Sequence, residues 1–215
     1  MSKEIINTTA SFVKTTLADA EGGHDWWHIY RVWQAAKQIA KGEKADMIVV
    51  ELGALLHDIA DSKFNGGDET IGPAKAKAFL ESEHIDAAVI EHVVQIIANI
   101  SFKGGKEQQQ FKSIELDIVQ DADRLDAMGA IGIARAFNYG GFKNRPLYDP
   151  NNPPDLYKTK DQYKHNNDPT INHFYEKLLL LKDRMNTTTG KSLAEERHQF
   201  MTQYLAQFYK EWEGE

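Results

Sequence analysis

Apolar side chains recur along most of the chain at the three-to-four-residue spacing of a helix, and no run shows the two-residue alternation of a half-buried strand. Residues 4–18 carry Ile5, Ile6, Phe12, Val13 and Leu17 on such a period, which ends at Glu21-Gly22-Gly23. Asp25 then stands as the N-cap of W-W-H-I-Y-R-V-W-Q-A-A-K-Q-I-A-K, on which His28, Val32, Ala35 and Ile39 share one stripe. Residues 46–60 are apolar nearly all round, the pattern of a central buried helix. Pro73 suits the first turn of a helix reaching about Glu83. Residues 86–100 predict another strongly apolar helix, 113–138 one long helix, and 171–185 and 192–212 two amphipathic helices. The pattern predicts an all-α fold.

The stretch 139–169 differs. It holds Gly140, Gly141, Pro146, Pro150, Pro153, Pro154 and Pro169 and little apolar periodicity. Loops this long are either functional or mobile. Its basic side chains (Lys143, Arg145, Lys158, Lys160, Lys164) slightly outnumber its acids (Asp149, Asp155, Asp161, Asp168). Such a segment suits either a lid over phosphates or a solvated connection.

Composition narrows the function classes. A chain of 215 residues with 41% hydrophobic and 27% charged side chains can bury one sizeable core. A formal net charge of −7 argues against a nucleic-acid binder. The absence of cysteine removes disulfides, thiolate metal sites and thiol nucleophiles. The N-terminus lacks the apolar core of a signal peptide, and no stretch approaches the roughly 18 apolar residues of a membrane span. A cytoplasmic protein with no membrane partner is expected.

Within the apolar run V-V-E-L-G-A-L-L-H-D-I-A sit His57 and Asp58. Burying both costs several kcal/mol unless each finds a partner. Neighbours on a helix point about 100° apart, so they can share an ion only if it lies between their directions, with further ligands from other helices. His28, on an otherwise apolar stripe, is one candidate. The segment V-Q-D-A-D-R-L-D-A-M-G-A offers Asp121, Asp123 and Asp126, and its spacing sets Asp123 on the stripe of Val119, Ala127 and Ala130. Two imidazoles and two carboxylates suit Mn²⁺, Fe²⁺, Co²⁺, Ni²⁺ or Zn²⁺ better than Mg²⁺. Mn²⁺ is the expected ion, the others being alternatives.

The ordered motifs G-H-D-W-W-H-I-Y-R-V, L-L-H-D-I-A-D-S-K-F and D-A-D-R-L-D-A-M-G-A-I-G-I-A-R-A-F, with N-H-F-Y-E-K-L-L-L-L-K-D-R-M near 172–185, resemble the HD-domain metal-dependent phosphohydrolase superfamily, in its YpgQ-like bacterial branch. The resemblance covers nearly the whole chain. It implies one HD domain over 1–215, with an HD core at about 20–135, the long loop or lid at 139–169 and additional C-terminal helices at 171–212. It implies metal ligands His28, His57, Asp58 and Asp123, the last chosen because related D-x-D segments bind through their second Asp. It also implies chemistry on nucleotides, with a metal-activated water as nucleophile.

An acid three residues after the motif Asp is catalytic in related HD nucleotidases and pyrophosphohydrolases, which assigns catalysis to Asp61. On a helix it would face the side of His57 and Asp58. His92 is the second acid–base candidate. His24, Arg31, Lys63 and Arg145 are candidates for substrate phosphates. The expected activity is hydrolysis of nucleoside phosphates, of the pyrophosphohydrolase or phosphatase type. The alternatives are a cyclic-nucleotide phosphodiesterase, a 5′-nucleotidase, or a non-catalytic nucleotide- or metal-binding regulator. The C-terminal helices could also serve a homodimer interface.

Overall fold

The computed structural model of the chain describes residues 2–20, 23–60, 68–100, 111–156 and 167–215. Among these are nine α-helices, one 3₁₀ segment and no strand, so the fold is all-α. The helices are α1 (Ser2–Thr16), α2 (Trp26–Ala40), α3 (Met47–Leu56), α4 (Ile71–Ser82), α5 (Ala87–Asn99), α6 (Ile114–Asp126), α7 (Gly129–Phe142), α8 (Thr170–Glu176) and α9 (Thr188–Glu213), with the 3₁₀ segment at Leu178–Arg184. Three starts are set by aspartates. The side chains of Asp25, Asp46 and Asp86 accept the backbone N–H of His28, Ile48 and Ala88 at 3.0, 2.9 and 2.9 Å. Each satisfies a donor that the first turn leaves orphaned.

The chain forms two compact units. One comprises Met1–Asp123 with Asn186–Gly190, the other Arg124–Met185 with Lys191–Glu215. In the first, α3 is central and packs on α1, α2 and α5, while α4 packs on α5. Leu52, Leu55 and Leu56 are fully buried. Each contributes about 1.5–3 kcal/mol of hydrophobic stabilisation. Gly53 permits the close approach of α5, because a Cβ there would lie 3.2 Å from Ile96 Cδ1.

Two predicted helices end early. The apolar run of 46–60 leaves the α-helix at Leu56, His57 takes the C-cap position, and turns follow through Ala60. The long helix expected over 113–138 is two helices. Met128 is extended, and Gly129 follows at φ +68°, a conformation that side chains with a Cβ adopt at a cost.

In the second unit, α8 packs on α7 and on the 3₁₀ segment. Phe174 is fully buried, its ring 5.9 Å from Phe137 and 6.1 Å from Tyr204. The helix expected at 171–185 breaks at Lys177 (φ −143°), beyond which the chain tightens to 3₁₀. The loop expected from 139 starts late, since α7 reaches Phe142. Its described part is fastened to α8. Thr170 and Ile171 donate to the carbonyls of Pro146 and Leu147, Asn172 to that of Asn152, and the Asp155 N–H to Glu176.

Candidate metal centre

Three elements of the first unit supply the candidate ligands: α2 gives His28, the turn after α3 gives His57 and Asp58, and α6 gives Asp123. The Asp25 cap fixes the first turn of α2 by holding the His28 N–H. His28 therefore enters the interior on a defined helical face, buried beside Ile29 and Val32. His28, His57 and Asp58 each offer a ligand atom within 4.8 Å of the others. Asp123 Oδ1 stands 3.5 Å from His28 Nε2 and 4.0 Å from His57 Nε2. The two imidazole rings meet edge to face at 5.3 Å between centroids.

The hydrogen bonds define what His57 can do. Its Nδ1 lies 2.9 Å from the Ala54 carbonyl, which can only accept, so Nδ1 carries the proton. With its proton on Nδ1, the neutral form of His57 would present a lone pair at Nε2. That atom is buried and has no hydrogen bond. Buried polar atoms normally find a partner, and an exception beside other potential ligands is the place where an ion would supply one. A divalent ion fits this gap, and the mixed nitrogen and oxygen donor set suits a transition metal. Burial by itself pushes the Asp58 carboxyl up. The hydrogen bond from His24, then the charges of His57, His24 and His28, outweigh it and hold Asp58 well below the usual carboxylate range.

Asp123 faces the two histidines as its spacing predicts, but it is only partly buried. It is 43% exposed, and Ala130, expected on the same stripe, is exposed as well. Asp121 is fully buried, and Asp126 is buried as well, paired with Arg135. The oxygens of Asp121 accept the N–H of Asn186 (2.8 Å), the N–H of Thr187 (2.8 Å) and the Thr187 hydroxyl (2.9 Å). Asp121 is thus committed to holding residues 186–187, whereas Asp123 opens toward the two histidines.

The remaining candidates fall in different places. His24 lies beside the cluster, its Nδ1 2.6 Å from Asp58 Oδ2. Arg31 is half-buried on α2, one turn beyond His28. His92, on α5, is outside the group of His28, His57 and Asp58. Its Nε2 lies 2.9 Å from Ser113 Oγ and 3.4 Å from Glu115 Oε2, while Glu115 accepts the Asp46 N–H. Arg145 belongs to the second unit, where its guanidinium lies 5.5 Å from the centre of the Tyr139 ring. Asp61 and Lys63 lie outside the described residues.

Sequence reasoning missed two supporting contacts, the His57–Ala54 bond and the pairing of His24 with Asp58. The first has a local signal, a carbonyl three residues before a histidine at a helix end. The second joins residues 34 positions apart and has none.

Comparison with known proteins gives a consistent result. Residues 26–128 match the family model described as HD domain. The Bacillus subtilis protein YpgQ is 39% identical over 207 residues, covering 95% of this chain and 92% of YpgQ. Among solved structures, an HD-superfamily hydrolase from Bacillus thuringiensis superposes with a TM-score of 0.82 at 44% identity over the whole of both chains. Bacillus subtilis YpgQ in complex with ADP gives a TM-score of 0.76 at 37% identity, covering 98% and 96% of the two chains.

Proposed function

The chain belongs to the HD-domain superfamily of metal-dependent phosphohydrolases, in its YpgQ-like branch, and on that premise we propose that its substrates are nucleoside phosphates, cut at a phosphoester or phosphoanhydride bond. The ligand set we assign is His28, His57, Asp58 and Asp123, with Mn²⁺ as the resident ion. The observation that carries the assignment is the buried, hydrogen-bond-free Nε2 of His57, aimed into a cluster of one more imidazole and two carboxylates. Nucleotide substrates are supported by the ADP held in the YpgQ structure.

A divalent ion in such a site lowers the pKa of a water molecule and polarises a phosphoryl oxygen. The chain's own groups do the rest. The Ala54 carbonyl holds the His57 tautomer and thereby aims Nε2. Asp58, kept ionised, and Asp123 would bring negative charge to a site that His28 and His57 also line. Asp61 is assigned the proton, accepting it on a carboxylate oxygen from the attacking water or returning it to the leaving group. His92 is the weaker candidate for this task, because Ser113 and Glu115 already engage its Nε2. Arg31 and Lys63 are assigned to phosphate charge.

The test is turnover of the Mn²⁺-loaded protein against nucleoside mono-, di-, tri- and cyclic phosphates, with products identified. The expected result is hydrolysis of at least one nucleotide class, lost on chelation and restored by Mn²⁺. Released pyrophosphate or orthophosphate locates the bond cut. Tight binding of a nucleotide with no turnover of any member would instead identify a regulator.

A further inference from the structure

We propose that His24 is a positioning residue for the metal centre: its Nδ1–H, bonded to Asp58 Oδ2 at 2.6 Å, holds that carboxylate in one orientation and leaves its other oxygen as the atom it would offer to an ion. The inference rests on the ligand assignment above and deepens it.

Asp58 needs such a partner because of where it sits. It lies in the turn beyond α3, where the regular helical neighbours that restrict a side chain's rotamer have ended. A carboxylate there can swing, and each orientation it samples other than the ligating one weakens metal binding. A charge-assisted hydrogen bond of this length removes that freedom. His24 is itself held in place. The next residue, Asp25, caps α2 through the His28 N–H at 3.0 Å, so the backbone between the two histidines is fixed. The rings of His24 and His28 stand edge to face at 6.0 Å between centroids. The five residues H-D-W-W-H thus carry three tasks: His24 orients one ligand, Asp25 sets the helix start, and His28 is a ligand. In metal sites, histidine ligands are commonly oriented by carboxylates. Here the relation is inverted, with a histidine orienting a carboxylate ligand.

The test is calorimetric titration of the metal-free protein with Mn²⁺, comparing wild type, His24→Ala and His24→Asn, with thermal melts of each metal-free form. Asn serves as the conservative variant because its side-chain N–H₂ reaches the position of the histidine Nδ1–H. The expected result is an affinity loss of about 10–100-fold in His24→Ala. His24→Asn should recover most of it, with closely similar melting temperatures for all three metal-free proteins. The d–d absorption of the Co²⁺-loaded forms should follow the same order, altered in the alanine variant and close to wild type in the asparagine one. Wild-type affinity in His24→Ala sinks the proposal. So does an asparagine variant as weak as the alanine one, which would transfer the role to Nε2 as a ligand or substrate contact. If wild type itself binds no Mn²⁺, the ligand assignment fails first, and that result is distinct from either.

Discussion

Asp121 and Asp123 are two residues apart on α6 and meet opposite fates. Asp121 is fully buried, and backbone and hydroxyl donors of Asn186 and Thr187 fill its oxygens. Asp123 is 43% exposed and leans toward two imidazole nitrogens at 3.5 and 4.0 Å. A satisfied buried carboxylate stabilises the structure that donates to it. One left facing other potential ligands is available for an ion. The same contrast separates His92, whose Nε2 is engaged by Ser113, from His57, whose Nε2 has no hydrogen bond.

The sharpest way to break this contrast is Asp123→Ala. Metal-dependent hydrolysis should fall to background and bound metal should disappear, while the unfolding free energies of the metal-free variant and metal-free wild type agree within about 0.5 kcal/mol. Elemental analysis and urea titration check the two halves. Full metal occupancy in this variant would move the ligand role elsewhere on α6.

Asp61→Asn separates holding the ion from moving the proton. Asparagine keeps the shape and cannot exchange the proton, so kcat should drop by about 10²–10⁴ with metal content and nucleotide affinity retained. Steady-state kinetics with metal analysis reads it, and an unchanged kcat would make Asp61 structural.

Asp121→Ala probes the other side. Two backbone donors and a hydroxyl lose their acceptor in the interior, which costs about 3 kcal/mol. The urea midpoint should shift accordingly, while Mn²⁺ affinity of the folded protein holds. A variant of normal stability that has lost its metal would reverse the roles of the two aspartates.

The smallest effect lies in the second unit, where polar burial carries a pH signature without any candidate ligand group. Burial, then the charges of Lys177 and Arg145, push His173 down to about 3. Its folded pKa is depressed, so the unfolded chain takes up the proton first. The associated stability is present above pH 6.5 and is lost as pH falls toward about 3. Between pH 7 and 5.5 the loss should be about 1 kcal/mol. Urea titrations at the two pH values should show it in wild type and not in His173→Gln.

Much of this organisation can be read from the residues, and the failures have physical causes. Periodicity and a capping aspartate located α2 well, because Asp25 and the Val32–Ile39 spacing are local signals. The end of α3 was hidden because Ile59 is as buried as Leu56, so hydrophobicity continues after the helix has stopped. The α6–α7 break rests on Gly129, a glycine in an otherwise helical pattern. Its positive φ, with Arg197 Cγ 3.1 Å from where a Cβ would stand, is a tertiary fact. Spacing placed Asp123 toward the two buried histidines, which its 3.5 and 4.0 Å contacts match, but overstated its burial. The fully buried Asp121 finds its partners 65 and 66 residues away, beyond any local pattern. The candidate ligand set came instead from family resemblance, to which the cluster geometry of His28, His57 and Asp58 now adds independent support.

The bond between Asp121 and residues 186–187 also has a consequence in time. The first unit needs Asn186–Gly190 as well as Met1–Asp123. Synthesis proceeds at about 5–20 residues per second, so Asp121 leaves the peptidyl-transferase centre roughly 3–13 seconds before its donors are made. Throughout that interval these donors are missing, and burying the carboxylate would carry the desolvation cost that they offset in the folded chain. Closure of the unit in strict N-to-C order is therefore disfavoured, and a nascent chain stalled before residue 186 is expected to be cut more readily along α6 in limited proteolysis than the released chain.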